Sequence, residues 1–328
     1  MKLSMTRQSI LAHTKGIVFG LAAVLGSAAS AQNFPTKPIT VIVPYTVGGS
    51  SDVIARLVTQ GMSEPLGQSV VVDNRAGAGG TIGTGLAARK GQGGYHLLMA
   101  DNAQAVIPAT YKKLNYDPVA DFSMVGYVGE APVMLFASGT SGIKSLEDLL
   151  TKARAQPGKI TIGTGYGSPS HLMTELLQKK AGIELQIVPY KGAAAALTDM
   201  IAGHIDLVLS NSASGASYLS TDKAVVLAQS GSSRDPRFSK VPTFSEGGVP
   251  GFDVQYWFAL LAPSDTPAPA LQTLRGAMKK ALVDPELSRK LYELGINKAT
   301  SDADSMSSIK DEADLWKKVV IDSSISIN

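Results

Sequence analysis

The strongest constraint in this sequence is a repeated alternation between short β-branched runs and amphipathic segments, joined through glycine. Pro38-Ile-Thr-Val-Ile-Val-Pro-Tyr45 reads as a buried strand and feeds the tight loop Gly48-Gly-Ser-Ser-Asp52. Beyond it Val53, Ile54, Leu57, Val58 and Met62 share one helical face, and Pro65 to Gly67 ends the pattern. The same unit recurs along the chain. Ser69 to Asp73, Tyr95 to Ala100, Val133 to Ala137, Lys159 to Gly163, Leu185 to Val188, Ile205 to Leu209, Val225 to Ala228 and Val254 to Ala262 all read as strands. Helices are expected over Thr81 to Arg89, from the capping box Ser145-Leu-Glu-Asp148 to Ala155, near Pro169 and Ala193, and from about Ala268, Pro285 and Ala303. Asn102 to Asp121 is looser. Such alternation predicts an α/β architecture of mostly parallel sheets flanked by helices, and 328 residues suffice for two lobes, each with its own core.

Charge and composition remove several classes of function. Thirty Lys and Arg stand against 27 Asp and Glu, but Lys2, Arg7 and Lys15 all fall in the first 31 residues, which hold no acid. The remainder is therefore neutral and carries no dense basic run, which argues against nucleic-acid binding. With no cysteine in the chain, disulfides, thiolate metal sites and a cysteine nucleophile are excluded. His96, His171 and His204 are scattered, no metal motif is present, and no cofactor is expected.

The amino terminus has the three parts of a secretory signal: the basic residues, an apolar stretch from Gly16 to Gly26, and small residues ending Ala29-Ser-Ala31. The apolar stretch is shorter than the ~20 residues that span a bilayer. Cleavage is expected after Ala31, giving a soluble exported protein with Gln32 first and residues 1–31 as signal peptide.

Three loops at strand ends stand out. Tyr45-Thr-Val-Gly-Gly-Ser-Ser-Asp52, Gly77-Ala-Gly-Gly-Thr81 and Gly163-Thr-Gly-Tyr-Gly-Ser-Pro-Ser-His171 each place glycine just before a helix, and none contains Lys or Arg. Ligands of open α/β sheets sit at the carboxyl ends of strands, and free amides at a helix start favour an anion. Ordinary capping is the alternative for each loop: Ser50 or Ser51 for one helix, Ser168 before Pro169 for another, with Asp52 as a first-turn acid. Three such loops together favour a ligand cleft that holds a carboxylate through amides and hydroxyls.

Enzyme signatures fail. Ser168, Ser170 and His171 are too close in sequence for a triad, and no Gly-x-Ser-x-Gly elbow occurs. Gly83-Thr-Gly85-Leu-Ala-Ala88 formally fits a dinucleotide fingerprint but has no strand feeding it.

An ordered set of segments resembles the periplasmic solute receptors of tripartite tricarboxylate transporters, called Bug proteins in Bordetella. They include Phe34-Pro-Thr-Lys-Pro-Ile39, Val-Pro-Tyr-x-x-Gly-Gly-Ser-Ser-Asp52, Val72-Asp-Asn-Arg-Ala-Gly-Ala-Gly-Gly-Thr-Ile-Gly83, Val188-Pro-Tyr-Lys-Gly192 and Trp257-Phe-Ala-Leu-Leu-Ala-Pro263. The resemblance implies a two-lobed, type II-like periplasmic-binding-protein fold that closes by a hinge on a small organic carboxylate and hands it to membrane subunits. The first lobe would take residues 32–130 and 228–328, and the second 131–227. Ligand contacts would fall to Tyr45, Gly49, Ser50, Ser51, Asp52, Gly80 and Thr81, and across the cleft to Tyr166, Ser168 and His171. Ser210 stands where the family frequently has Asp, which points away from amino acids and toward di- or tricarboxylates or an aromatic acid. A non-enzymatic monomer is expected, serving transport, or sensing through a kinase partner.

Overall fold

A computed structural model describes residues 34–215, 223–298 and 306–322; the expected cleavage site after Ala31 lies outside them. The first half of one sheet is built from strands and helices in strict alternation: β1 (Ile39–Val43), α1 (Ser50–Leu66), β2 (Val70–Asn74), α2 (Thr81–Ala87) and β3 (His96–Asp101). β1 pairs in parallel with both β2 and β3. A short helix, α3 (Ala103–Thr110), follows where the sequence pattern is loose. The chain then enters β4 (Phe122–Ser138), a strand of 17 residues.

Only the second half of β4 is visible as a pattern in the sequence, because Gly126, Gly129 and Pro132 interrupt the first. There the register against its neighbour shifts between Met124 and Gly126 and again between Tyr127 and Gly129. These are bulges, which bend and twist the strand as it leaves one sheet for another.

The second sheet repeats the alternation with α4 (Leu146–Ala155), β5 (Thr161–Gly165), α5 (Pro169–Ala181), β6 (Gln186–Tyr190), α6 (Ala193–Ala202), β7 (Leu207–Asn211), the single turn α7 (Ser212–Gly215) and β8 (Ala224–Gln229). β5 pairs in parallel with β6 and β7, while β4 runs antiparallel to β7 and β8. The Ser145 hydroxyl caps α4 by accepting from the Asp148 amide, and the Asp148 carboxylate returns to the Lys144 amide rather than to Ser145.

β9 (Gln255–Pro263) returns to the first sheet, antiparallel to β3 and to β4 from Phe122 to Pro132. From Val133 onward β4 pairs with β7 instead, so one strand belongs to both sheets. The order is β2-β1-β3-β9-β4 on one side and β8-β4-β7-β5-β6 on the other. β8 pairs with the second half of β4. Beyond it Phe244 and Phe252 meet at a tilt, ring centroids 4.5 Å apart, and the chain between them passes over α4, where a Cβ on Gly247 would lie 2.5 Å from Leu146.

Three helices close the fold: α8 (Ala268–Val283), α9 (Pro285–Glu293) and α10 (Met306–Asp322). Gly61 of α1 lets α8 approach, since a Cβ there would lie 3.1 Å from that of Ala281. α10 is anchored by Trp316, which is 1% exposed, and by Glu312, whose buried carboxylate accepts from the Trp257 and Trp316 indoles and from the Asn102 amide. Burial raises the Glu312 carboxyl, and these three donors oppose the rise. No described helix is long and apolar enough to cross a membrane.

Gly129 tests the bulged crossing. Its φ is +149°, and a Cβ would meet the Asn297 carbonyl oxygen at 2.3 Å. Gly129→Ala should therefore cost about 2–4 kcal/mol, combining overpacking with backbone strain, as a lowered midpoint in urea denaturation. A midpoint within error of wild type would show that the bulge relaxes freely.

Candidate functional site

A cavity of about 440 Å³ lies between the two sheets' loop edges. Each of its walls is a strand end that turns into a helix. Gly49, Ser50 and Ser51 come from the start of α1, Ser168, Pro169 and Ser170 from α5, and Gly192, Ala193 and Ala194 from α6. In α1 the first helical donors are Asp52 and Val53, both to the Gly49 carbonyl. The amides of Ser50 and Ser51 consequently have no acceptor within the helix. Three helix amino termini, drawn from both lobes, point their partial positive charge into one space.

The expected contact residues divide into two groups. Tyr45, Gly49, Ser50, Ser51, Gly80, Tyr166, Ser168 and Ser210 line the cavity. Asp52, Thr81 and His171 do not. Asp52 is 2% exposed, accepts from the Gly48 amide at 3.0 Å and pairs with Arg56 at 2.9 Å. Burial works to raise its carboxyl, but Arg56, Gly48 and Asn74 outweigh that and hold it below the usual range. Thr81 donates to the Ala78 carbonyl and so tightens its own turn. His171 lies beneath Tyr166, ring centroids 4.7 Å apart, with Nδ1 accepting from the Gly167 amide at 3.1 Å.

The capping weighed as the alternative for these serines is not made. Gly49 is the cap residue of α1, with φ −77° and ψ 167°, and no side chain bonds there. Ser50 Oγ instead accepts from Asn211 Nδ2 at 3.0 Å, a buried bond across the cleft. Ser168 does occupy the cap position before Pro169, but its hydroxyl joins a chain with Ser170 and Thr164 at 2.9 and 2.8 Å.

Asp101, Asn211, Tyr256 and the loop Tyr190-Lys-Gly-Ala-Ala194 also line the cavity; the sequence offered Val188-Pro-Tyr-Lys-Gly192 as a family-like segment, but none of these residues as a ligand contact. That loop carries the same strand–glycine–helix signature as the others, with a single glycine. Among the described lining residues Lys191 is the only cation; Arg75 pairs with Asp73 at 2.9 Å and lies off the cavity. Burial and then the hydrogen bond to Asp199 push the Tyr190 phenol up to about 12, so it stays neutral.

The cleft is closed. Gly79 of one loop and Gly167 of the facing loop pack so tightly that a Cβ on Gly79 would lie 2.9 Å from the Gly167 oxygen. Two sheets joined through the shared strand β4, with a glycine-lined cavity between them, define a solute-binding protein of the two-lobed periplasmic type. Residues 54–325 match the model for "Tripartite tricarboxylate transporter family receptor", and the chain belongs to that family. It is 32% identical to Protein BugT of Bordetella pertussis over 92% of this chain and 94% of that one. Two solved Rhodopseudomonas palustris structures are similar. MatC with bound malate has a TM-score of 0.82, with 30% identity over 88% of this chain and 100% of that one. Rpa4515 with adipate has a TM-score of 0.83, with 32% identity over 89% and 99%. The family is one of receptors, which agrees with the failure of every enzyme signature.

Closure at Gly79 can be tested directly. Gly79→Ala, at φ +61°, should hold the loops apart and raise the radius of gyration above wild type in small-angle scattering. Equal radii would show that the facing loops yield.

Proposed function

We propose that this protein is an exported receptor that captures a small organic carboxylate by hinge closure and delivers it to the membrane subunits of a tripartite tricarboxylate transporter. The observation that carries this reading is the convergence of three helix amino termini on one cavity, with free amides where an anion would sit. The carboxylates held by MatC and Rpa4515 point the same way. We take the hinge to lie where β4 changes partner between Pro132 and Val133 and where the chain returns near Asp253. The lobes are then residues 32–132 with 254–328, and 133–253. Tyr45, Gly49, Ser50, Ser51 and Gly80 would serve one side of the ligand, and Tyr166, Ser168 and Ser210 the other. Asp52 and His171 would act by holding the loops that carry these groups.

On this reading the carboxylate rests on amides rather than on a basic clamp. A Cβ at Gly49 would meet only the Thr46 oxygen at 3.8 Å, so a larger side chain there would occupy the space left for ligand. Gly49→Val should weaken carboxylate binding about tenfold to a hundredfold in titration calorimetry, Arg75→Ala should bind as wild type, and Lys191→Ala should lose less than Gly49→Val. Normal binding by Gly49→Val, with loss in Lys191→Ala, would replace the amide cradle by a lysine clamp.

Export is tested by mass spectrometry of the protein recovered from the periplasm, which should begin at Gln32. Folded, exported protein that retains Met1 would rule out the cleaved signal.

A further inference from the structure

Asp101, at the end of β3, is 4% exposed and lines the cavity, yet both its oxygens are already engaged. Oδ1 accepts from the Tyr45 hydroxyl at 2.9 Å and from the Ala103 amide at 2.9 Å, and Oδ2 accepts from the Ser51 hydroxyl at 3.0 Å. A hydroxyl has one hydrogen. Tyr45 and Ser51 have each turned theirs toward Asp101, so both present lone pairs to the cavity they line. Burial and the Asp101 charge push the Tyr45 phenol up, which keeps it protonated. Ser50 is the opposite case: its oxygen takes the Asn211 amide, and its hydrogen has no acceptor among the described residues. The same helix start therefore offers donors through Ser50 and the free amides, and acceptors through Ser51 and Tyr45.

We propose that Asp101 sets an acceptor subsite beside the amide cradle, and that the ligand is a hydroxy acid whose hydroxyl shares its one hydrogen between the Tyr45 and Ser51 oxygens in a three-centre bond. This rests on the carboxylate-receptor reading and narrows its ligand class. A keto oxygen at the same place would meet two lone pairs. A methylene would leave both acceptors unpaired inside a closed cleft. An ammonium would gain from the Asp101 charge, but that charge is already hydrogen-bonded to three donors, and a full charge gives up far more hydration than a hydroxyl on entering the cleft.

The test is titration calorimetry with matched acids: glutarate, 2-hydroxyglutarate, 2-oxoglutarate and glutamate; the four-carbon set succinate, malate, oxaloacetate and aspartate; and phenylacetate, mandelate, phenylglyoxylate and phenylglycine. In the series that binds, the hydroxy acid should be tighter than its keto, deoxy and amino counterparts by about fivefold or more. Tyr45→Phe removes one acceptor and should shrink that ratio, with the hydroxy acid losing more affinity than the deoxy acid. Asp101→Asn, whose amide would donate to Ser51 and turn its hydrogen outward, should shift preference toward the keto acid. Because Asp101 is buried, Tyr45→Phe keeps the test decisive if Asp101→Asn does not fold. A deoxy, keto or amino acid that binds as tightly as the hydroxy acid overturns the hydroxyl assignment alone. So does a hydroxy preference unchanged in Tyr45→Phe. Failure of every acid to bind overturns the carboxylate reading together with it.

Discussion

The antiparallel pairing of β9 with β4 is the constraint on which the rest of the molecule depends. β4 is the only described strand common to both sheets, and β9 holds its first half in place from Phe122 to Pro132. Where the pairing ends, proline supplies no amide, and the next residue turns to a side chain for its bond. The Val133 amide donates to Ser230 Oγ at 2.8 Å, and the Ser230 amide returns to the Val133 carbonyl at 2.8 Å. The ladder is thus handed from strand to loop at the crossing, which satisfies both the amide and the carbonyl of Val133.

The dipeptide Asp101-Asn102 ties that frame to the cleft. Asp101 faces the cavity, while the Asn102 side chain accepts from the Trp257 amide and donates to the Gln255 carbonyl and to Glu312. One strand end therefore contacts the cavity wall, the crossing strand and the last helix. Removing the Glu312 carboxylate would leave two indoles without that acceptor and the Asn102 amide with Gln255 alone, so the position of α10 is coupled to the polar groups behind the cavity.

Much of this was legible in the sequence, and the exceptions have physical causes. Regular units such as β1 to α1, or β5 to α5, announce themselves because β-branched residues, glycine and an apolar stripe occur in that order. The first half of β4 was silent because glycines that serve bulges look like glycines that serve loops. α3 was missed because Pro108 and a short length blur its period. The lining serines were found by composition, but their partners were not. Asp101 reads as the last residue of a strand, and Asn211 as nothing in particular. Ser50 lies 161 residues from Asn211, and only tertiary structure reveals that its hydroxyl is bound across the cleft rather than capping its own helix.

That bond between Ser50 and Asn211 has a kinetic meaning. It joins the two sides of the cleft without using any atom of a ligand, so it favours closure in the empty protein as well as in the loaded one. On the hinge-closure reading proposed above, a solute would enter only in the intervals when that pair is apart, and capture would level off at the frequency of opening instead of rising in proportion to solute concentration.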